Sequence, residues 1–315
     1  MLFIKVFRKI LRNRFNRIDQ KALGELLGNK GLSIVDLGAA GGVEPRWSKI
    51  SNYLEYYGFE PDARTIQEKP KNKFKTYNVI PNLISNKSLE SELHISREEG
   101  KSSIYQPNLE FLSKFPSSSR FEIVDSLKLR TSTLDETINT EIDFIKLDIQ
   151  GGELNALKGA EKLLGNVLGI ETEVEFLDLY KSQPLFGDVN NFLSINNFEF
   201  IDFTNLRRWE RNRLGDYGQC VFGDALYLKT PENIFEEKIT EIRFRKYLAI
   251  LYLYNRFDLI NRSLALHTKF RSNLSKFEKI LRKKNSRFQA ISKVNNLTNK
   301  LVSFFGVEFK THFIY

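Results

Sequence analysis

The run SIVDLGAAGG, residues 33–42, decides how the rest of the chain is read. Ser33 to Leu37 is a short apolar segment, and it stops abruptly in five small residues. An apolar run of that length bounded by glycine predicts a buried strand followed by a tight turn. Small side chains there let the backbone bend sharply and come close to a ligand. Glu60 follows 18 residues after Gly42, at the end of a second strand predicted over Leu54 to Phe59. An acid at that place can accept both hydroxyls of a ribose, and nucleotide-binding sheets place one roughly 20 residues beyond their glycine turn. The turn itself reads D-x-G-x-A-x-G, not G-x-G-x-x-G. That spacing suits a nucleoside cofactor with no pyrophosphate to cradle.

Working outward, further strands are predicted over Lys73 to Ser85, Glu92 to Ser96, Ile142 to Ile149, Leu168 to Phe176, Phe198 to Phe203 and Gln219 to Leu228. Helix-length stretches separate most of them, as in a mostly parallel sheet. The clearest helix runs from Glu153 to Leu164, with Leu154, Leu157, Ala160 and Leu164 on one face. Residues 2–21 read as a basic amphipathic helix with Phe3, Phe7, Ile10 and Leu11 on its apolar side.

Composition bounds the function classes. The 315 residues are 41% apolar and 13% aromatic, which supports a large core and excludes a disordered chain. A single cysteine, Cys220, rules out an internal disulfide and fits a reducing compartment. No segment has the length of a membrane span, and basic residues interrupt the apolar runs of the first 15 residues, so they do not read as a secretion signal. The expected location is cytoplasmic, with peripheral membrane contact as an addition. Charge is unevenly spread: residues 1–30 carry eight Lys/Arg against two Asp/Glu, residues 31–235 carry 23 against 31, and residues 236–315 carry 17 against six. These shifts suggest a basic N-terminal helix over 1–30, a central domain over 31–230 and a basic, mostly helical extension over 231–315.

The segments VDLGAAGGVEPRW (35–47), YGFEPD (57–62) and DFIKLDIQGGELNALKGAEKLL (143–164) resemble the FkbM family of methyltransferases, which use S-adenosylmethionine (SAM). So do EVEFLDLYKSQPLFGDVNNFL (173–193) and GQCVFGDALYL (218–228). The resemblance covers about residues 31–230. It implies a class I methyltransferase fold: an α/β, Rossmann-like sheet of seven strands, one of them antiparallel, with helices on both faces. It implies SAM as cofactor, and transfer of the methyl group to a hydroxyl of a sugar, glycan or glycolipid-type acceptor. Carried onto this chain, the cofactor positions are Asp36, Gly38, Ala39, Gly41 and Glu60, with Pro61 and Asp62 beside them. Asp36 would face the amino-acid end of SAM. Ala40 stands where many methyltransferases have glycine.

Methyl transfer to oxygen requires an aligned hydroxyl and a group that takes its proton. Asp148 ends the strand over Ile142 to Ile149 and stands at the sheet edge as catalytic or substrate-binding residue, or as the cap of the next helix. Lys146 shares its strand face, and a lysine in a central strand needs a partner. Glu171, Glu173 and Glu175 alternate along the following strand, so Glu171 or Glu173 is the expected partner. Lys146 and Glu173 either form a supporting ion pair or shape the acceptor pocket. Glu153 fits the positive end of its helix. His94 reads as structural, and Ser102, Ser103 and Tyr105 form a polar loop. No metal site is predicted. Other readings are a nicotinamide-dependent sugar oxidoreductase, against which the missing G-x-G-x-x-G counts, and a non-catalytic membrane or nucleic-acid adaptor. No nucleic-acid motif is present, and an oligomer is compatible with the aromatic stretch Tyr247 to Phe257.

Overall fold

The structure is a computed structural model that describes residues 17–66, 70–212, 215 and 217–284. Residues 1–16 of the expected basic helix, and His312, lie outside the described residues. The chain forms two compact units, one of residues 27–267 and one of residues 1–26 with 268–315. In the second unit Lys284 Nζ meets Asp19 Oδ1 at 2.9 Å.

The first unit is built on a seven-stranded sheet in the order β3-β2-β1-β7-β8-β10-β9. Its strands are β1 (Leu32–Leu37), β2 (Leu54–Phe59), β3 (Thr76–Ile80), β7 (Phe144–Leu147), β8 (Gly169–Glu175), β9 (Glu199–Trp209) and β10 (Gln219–Leu228). All neighbours are parallel except β10, which runs against both β8 and β9. From β1 the chain first builds outward to β2 and β3, then returns to place β7 on the other side of β1. The carboxyl ends of β1 and β7 therefore flank the switch point where open α/β sheets bind ligands. The sheet is the class I methyltransferase arrangement that the resemblance implies.

Every residue of β1, β7 and β8 is buried, the pattern of central strands covered on both faces. One face carries Val35, Ile145, Ile170 and Val174 against Leu154, Leu157, Leu164 and Leu193. Helices Glu153–Lys158, Glu161–Leu164 and Phe186–Ile195 supply that layer. The opposite face receives Trp47 and Tyr254, whose rings lie 4.8 and 5.4 Å from Phe144. Helix Glu241–Leu253 holds itself to the sheet through Lys246, which pairs with Asp143 at 2.7 Å. Among the described residues no helix is long and apolar enough to cross a membrane.

Three elements differ from expectation. The stretch Lys73 to Ser85 is two short strands in separate sheets: β3, then β4 (Leu83–Ile84) after Pro81, which has no N–H to continue the ladder. β4 joins β5 (Glu90–Ser96) and a strand absent from the sequence reading, β6 (Ile123–Ser132), in a three-stranded sheet of order β4-β6-β5. Most of β6 is exposed, so it carries no buried stripe to betray it. Finally, the helix expected over Glu153 to Leu164 breaks at Gly159, where a Cβ would lie 2.2 Å from the Ser85 carbonyl oxygen.

Candidate active site

A cavity of about 320 Å³ opens over the carboxyl ends of β1, β2 and β7, with walls that include Gly38, Glu60, Asp62, Lys146 and Asp148. It falls at the small end of ligand pockets, roughly 300–1,000 Å³. Leu83, Ile84, Leu93 and Ile104 form its apolar side, so the three-stranded sheet completes it.

The glycine turn is fixed by contact with β7. Gly38 has φ +78°, and a Cβ on it would lie 1.9 Å from the Asp148 carbonyl oxygen. Its N–H and that of Ala39 both donate to the Phe59 carbonyl, at 3.0 and 3.2 Å. The first turn is thereby tied to the tip of β2, and Glu60 follows directly. The buried Glu60 carboxylate accepts the Asp62 N–H at 2.9 Å. Burial pushes its carboxyl upward, against the pull of that hydrogen bond. Asp62 is also buried, but its hydrogen bonds from Arg64 and Ser102 outweigh the burial and hold its carboxyl low.

Of the expected cofactor positions, Gly38, Glu60, Pro61 and Asp62 line the cavity, and Ala40, Gly42 and Glu44 join them. Ala39 and Gly41 shape the turn without forming the wall. Asp36 lies behind it. Its carboxylate accepts the Tyr56 hydroxyl at 2.7 Å and the Lys146 ammonium at 3.2 Å. Burial raises the Asp36 carboxyl, and Lys146 opposes this.

Lys146 thus has a different partner from the one expected. Its ammonium reaches Asp36 across β1, with Glu44 at 3.8 Å. Burial lowers its pKa, but Asp36, Asp148 and Glu44 together overcome this and keep it charged. Glu171, the residue opposite Lys146 on β8, is taken by Arg46 at 3.0 Å and by the Tyr254 hydroxyl at 2.8 Å. A guanidinium fork matches a carboxylate better than an ammonium does, and Arg46 is further held by stacking on Tyr254, 4.0 Å from the ring centre.

Gln150 organises the polar groups around Asp148. It sits in the left-handed region at φ +56°, where a side chain other than glycine is strained. Its Nε2 donates to Asp148 Oδ1 at 2.9 Å and to Glu173 Oε1 at 2.7 Å. Its Oε1 accepts the Tyr180 hydroxyl at 3.0 Å, and its carbonyl accepts the Ser103 hydroxyl at 2.7 Å. Sequence reasoning missed it, although its place between Asp148 and two glycines was a signal. Glu173 does not form the wall; it meets the cavity through Gln150. Burial pushes Glu173 and Glu175 well up, with Asp148 and Glu153 respectively adding like-charge repulsion. Burial also moves Glu153 to about 7, although its carboxylate accepts the Ile149 N–H at 2.7 Å. Glu153 closes the loop at the start of its helix, at the positive helix end expected for it. His94 lies on β5 within 3.3 Å of Ser126 Oγ and outside the wall. Among the described residues no group of three His, Cys, Asp or Glu side chains is placed to hold a metal ion.

With Asp62 paired to Arg64, three acids, Glu44, Glu60 and Asp148, face one cation, Lys146, around the cavity. Such a wall attracts a cationic ligand and repels the phosphates of a dinucleotide. The chemistry of the wall suits an adenosyl sulfonium: the Glu60 carboxylate can accept ribose hydroxyls, and the acids complement a positive sulfur.

The methyltransferase FkbM domain matches residues 36–200, just over half the chain. No curated protein matches significantly. Among solved structures, a methyltransferase FkbM from Methylobacillus flagellatus is similar at 16% identity and a TM-score of 0.38, over 65% of this chain and 47% of that one. The chain therefore spans about half the length of that protein. Magnesium protoporphyrin IX methyltransferase from Synechocystis, solved with bound SAM, is similar at 11% identity and a TM-score of 0.32, over 69% of this chain and 82% of that one. A precorrin-6y methyltransferase from Geobacter metallireducens gives 12% identity and a TM-score of 0.29, over 67% and 88%. On the domain match, the chain belongs to the FkbM family of SAM-dependent methyltransferases.

Proposed function

We propose that the protein transfers a methyl group from SAM to a hydroxyl of a sugar, glycan or glycolipid-type acceptor, with Asp148 taking the hydroxyl proton. The observation that carries this reading is Asp148 itself. It stands on the wall of the cavity that Glu60 and Gly38 also line, and Gln150 holds one of its oxygens at 2.9 Å.

When bound, SAM supplies a methyl carbon made electrophilic by its sulfonium. Gly38, Glu60, Pro61 and Asp62 are the residues that would hold it. Gln150 fixes the Asp148 carboxylate, so the base needs no reorientation when a hydroxyl arrives. Asp148 would accept the proton of the acceptor hydroxyl as its oxygen takes the methyl group. Lys146 balances the charge of Asp36 and Asp148 beneath the site. Glu173 acts by seating Gln150. The basic ends of the chain favour an anionic membrane surface or lipid-linked acceptor, with cytoplasmic placement.

The test is transfer of labelled methyl from SAM to a panel of glycans and glycolipids. Label in an ether-linked methyl group is the expected product. Absence of SAM binding, or label found only on nitrogen or carbon, contradicts the reading.

A further inference from the structure

A second cavity, of about 450 Å³, is lined by Phe115, Arg120, Arg208, Trp209 and Glu210. We propose that it binds the oxyanion of the acceptor, a phosphate or carboxylate carried next to a sugar ring. This rests on the methyltransferase reading above and names the substrate class for the same edge of the sheet.

Arg208 and Trp209 are the last residues of β9. β9 is parallel to β8, so they lie at the same carboxyl edge as the first cavity. The Arg120 guanidinium stands 4.6 Å from the centre of the Trp209 ring and 5.1 Å from that of Phe121. Arg208 stands 4.2 Å from the centre of the Tyr217 ring. Stacking fixes a guanidinium plane while leaving its N–H edge for a planar or tetrahedral oxyanion. Among the described residues neither arginine has a carboxylate within ion-pair distance, and Arg120 Nε is buried without a hydrogen-bond partner. The one acid in the lining, Glu210, accepts the Gly215 N–H at 2.9 Å. Trp209 and Phe115 add apolar ring faces, the usual platform for a sugar.

One buried aromatic layer packs between the two cavities. Trp209 contacts Phe121, and Phe121 contacts Tyr180, each at 6.0 Å between ring centres. The Tyr180 hydroxyl then bonds Gln150 in the first cavity. Phe121 and Tyr180 are buried, so an acceptor that reaches both the arginines and Asp148 must run over the outer surface of this sheet edge.

The experiment uses the full chain and follows its fluorescence during titration with glucose 1-phosphate, glucuronate and glucose. Of the two tryptophans, Trp47 is buried, so Trp209 reports the groove. The phosphate or the carboxylate should quench emission, and glucose should bind at least tenfold more weakly. Raising salt should weaken the anions further. The double variant Arg120→Gln with Arg208→Gln should lose at least tenfold in anion affinity. So should Arg208→Glu alone, which alters only an exposed side chain. Equal binding of glucose, an affinity unchanged by charge reversal, or no quenching by either anion overturns the proposal. A parallel SAM titration separates the two claims. Intact SAM binding with a silent groove removes the groove alone, whereas loss of SAM binding removes the methyltransferase reading on which it rests.

Discussion

At the scale of single residues, one carboxylate stands at the cavity wall and several others lie buried near it. Asp148 is held by Gln150 at the cavity wall, whereas Glu173, Glu175 and Glu153 are buried and raised. Asp148→Asn keeps the shape and removes the base. Its kcat should fall by about 10²- to 10⁴-fold, with SAM affinity little changed, as steady-state transfer and calorimetry will show. Glu153 gives a pH signature. Its carboxyl sits at about 7 in the fold against an ordinary 4.5. Between those values the unfolded chain ionises first, so rising pH favours unfolding, by about 1.4 kcal/mol per pH unit while the two states differ. Glu153→Gln removes this penalty. Thermal melts across the range should show the variant gaining on the parent as pH rises from about 4.5 towards about 7. A constant difference contradicts the assignment. Glu60 and Asp148 were legible in the sequence because strand ends fix where such side chains stand. The partner of Lys146 was not. Its neighbours on β1 and β8 both carry acids, and only Arg46, distant in sequence, decides that Glu171 is already taken.

At the scale of elements, the sheet could be read because its central strands are apolar throughout and end in glycine or acid. The Gln219–Leu228 strand and the Leu54–Phe59 strand stand where their patterns place them. The inserted three-stranded sheet could not, since β6 is exposed along most of its length. That omission hid the apolar wall of the cavity, made by Leu83, Ile84, Leu93 and Ile104. The break at Gly159 also escaped, because helical spacing continues across it to Leu164. It yields a prediction with a reversed sign. In an uninterrupted helix, glycine to alanine stabilises by about 1 kcal/mol. Here the added methyl would meet the Ser85 carbonyl at 2.2 Å. Gly159→Ala should therefore destabilise, by about 1–3 kcal/mol, read as a lower midpoint in urea unfolding. A raised midpoint would show a continuous helix.

At the scale of the whole molecule, charge is unevenly divided. The central stretch is acidic and its cavity wall suits a cationic cofactor, while both chain ends are basic. Each cation near an anionic bilayer contributes on the order of 1 kcal/mol. The full chain should float with vesicles containing phosphatidylglycerol, stay behind with phosphatidylcholine alone, and be released as salt rises. Flotation that ignores lipid charge contradicts a role for the basic ends. The central claim concerns the first cavity, and isothermal titration of SAM into the parent protein and Glu60→Ala tests it most directly. The account predicts one SAM bound per chain and at least about tenfold weaker binding in the variant, the loss of roughly 1.4 kcal/mol expected when a charged hydrogen-bond acceptor is removed. A parent protein that binds no SAM, or a folded Glu60→Ala that binds it equally well, contradicts the account.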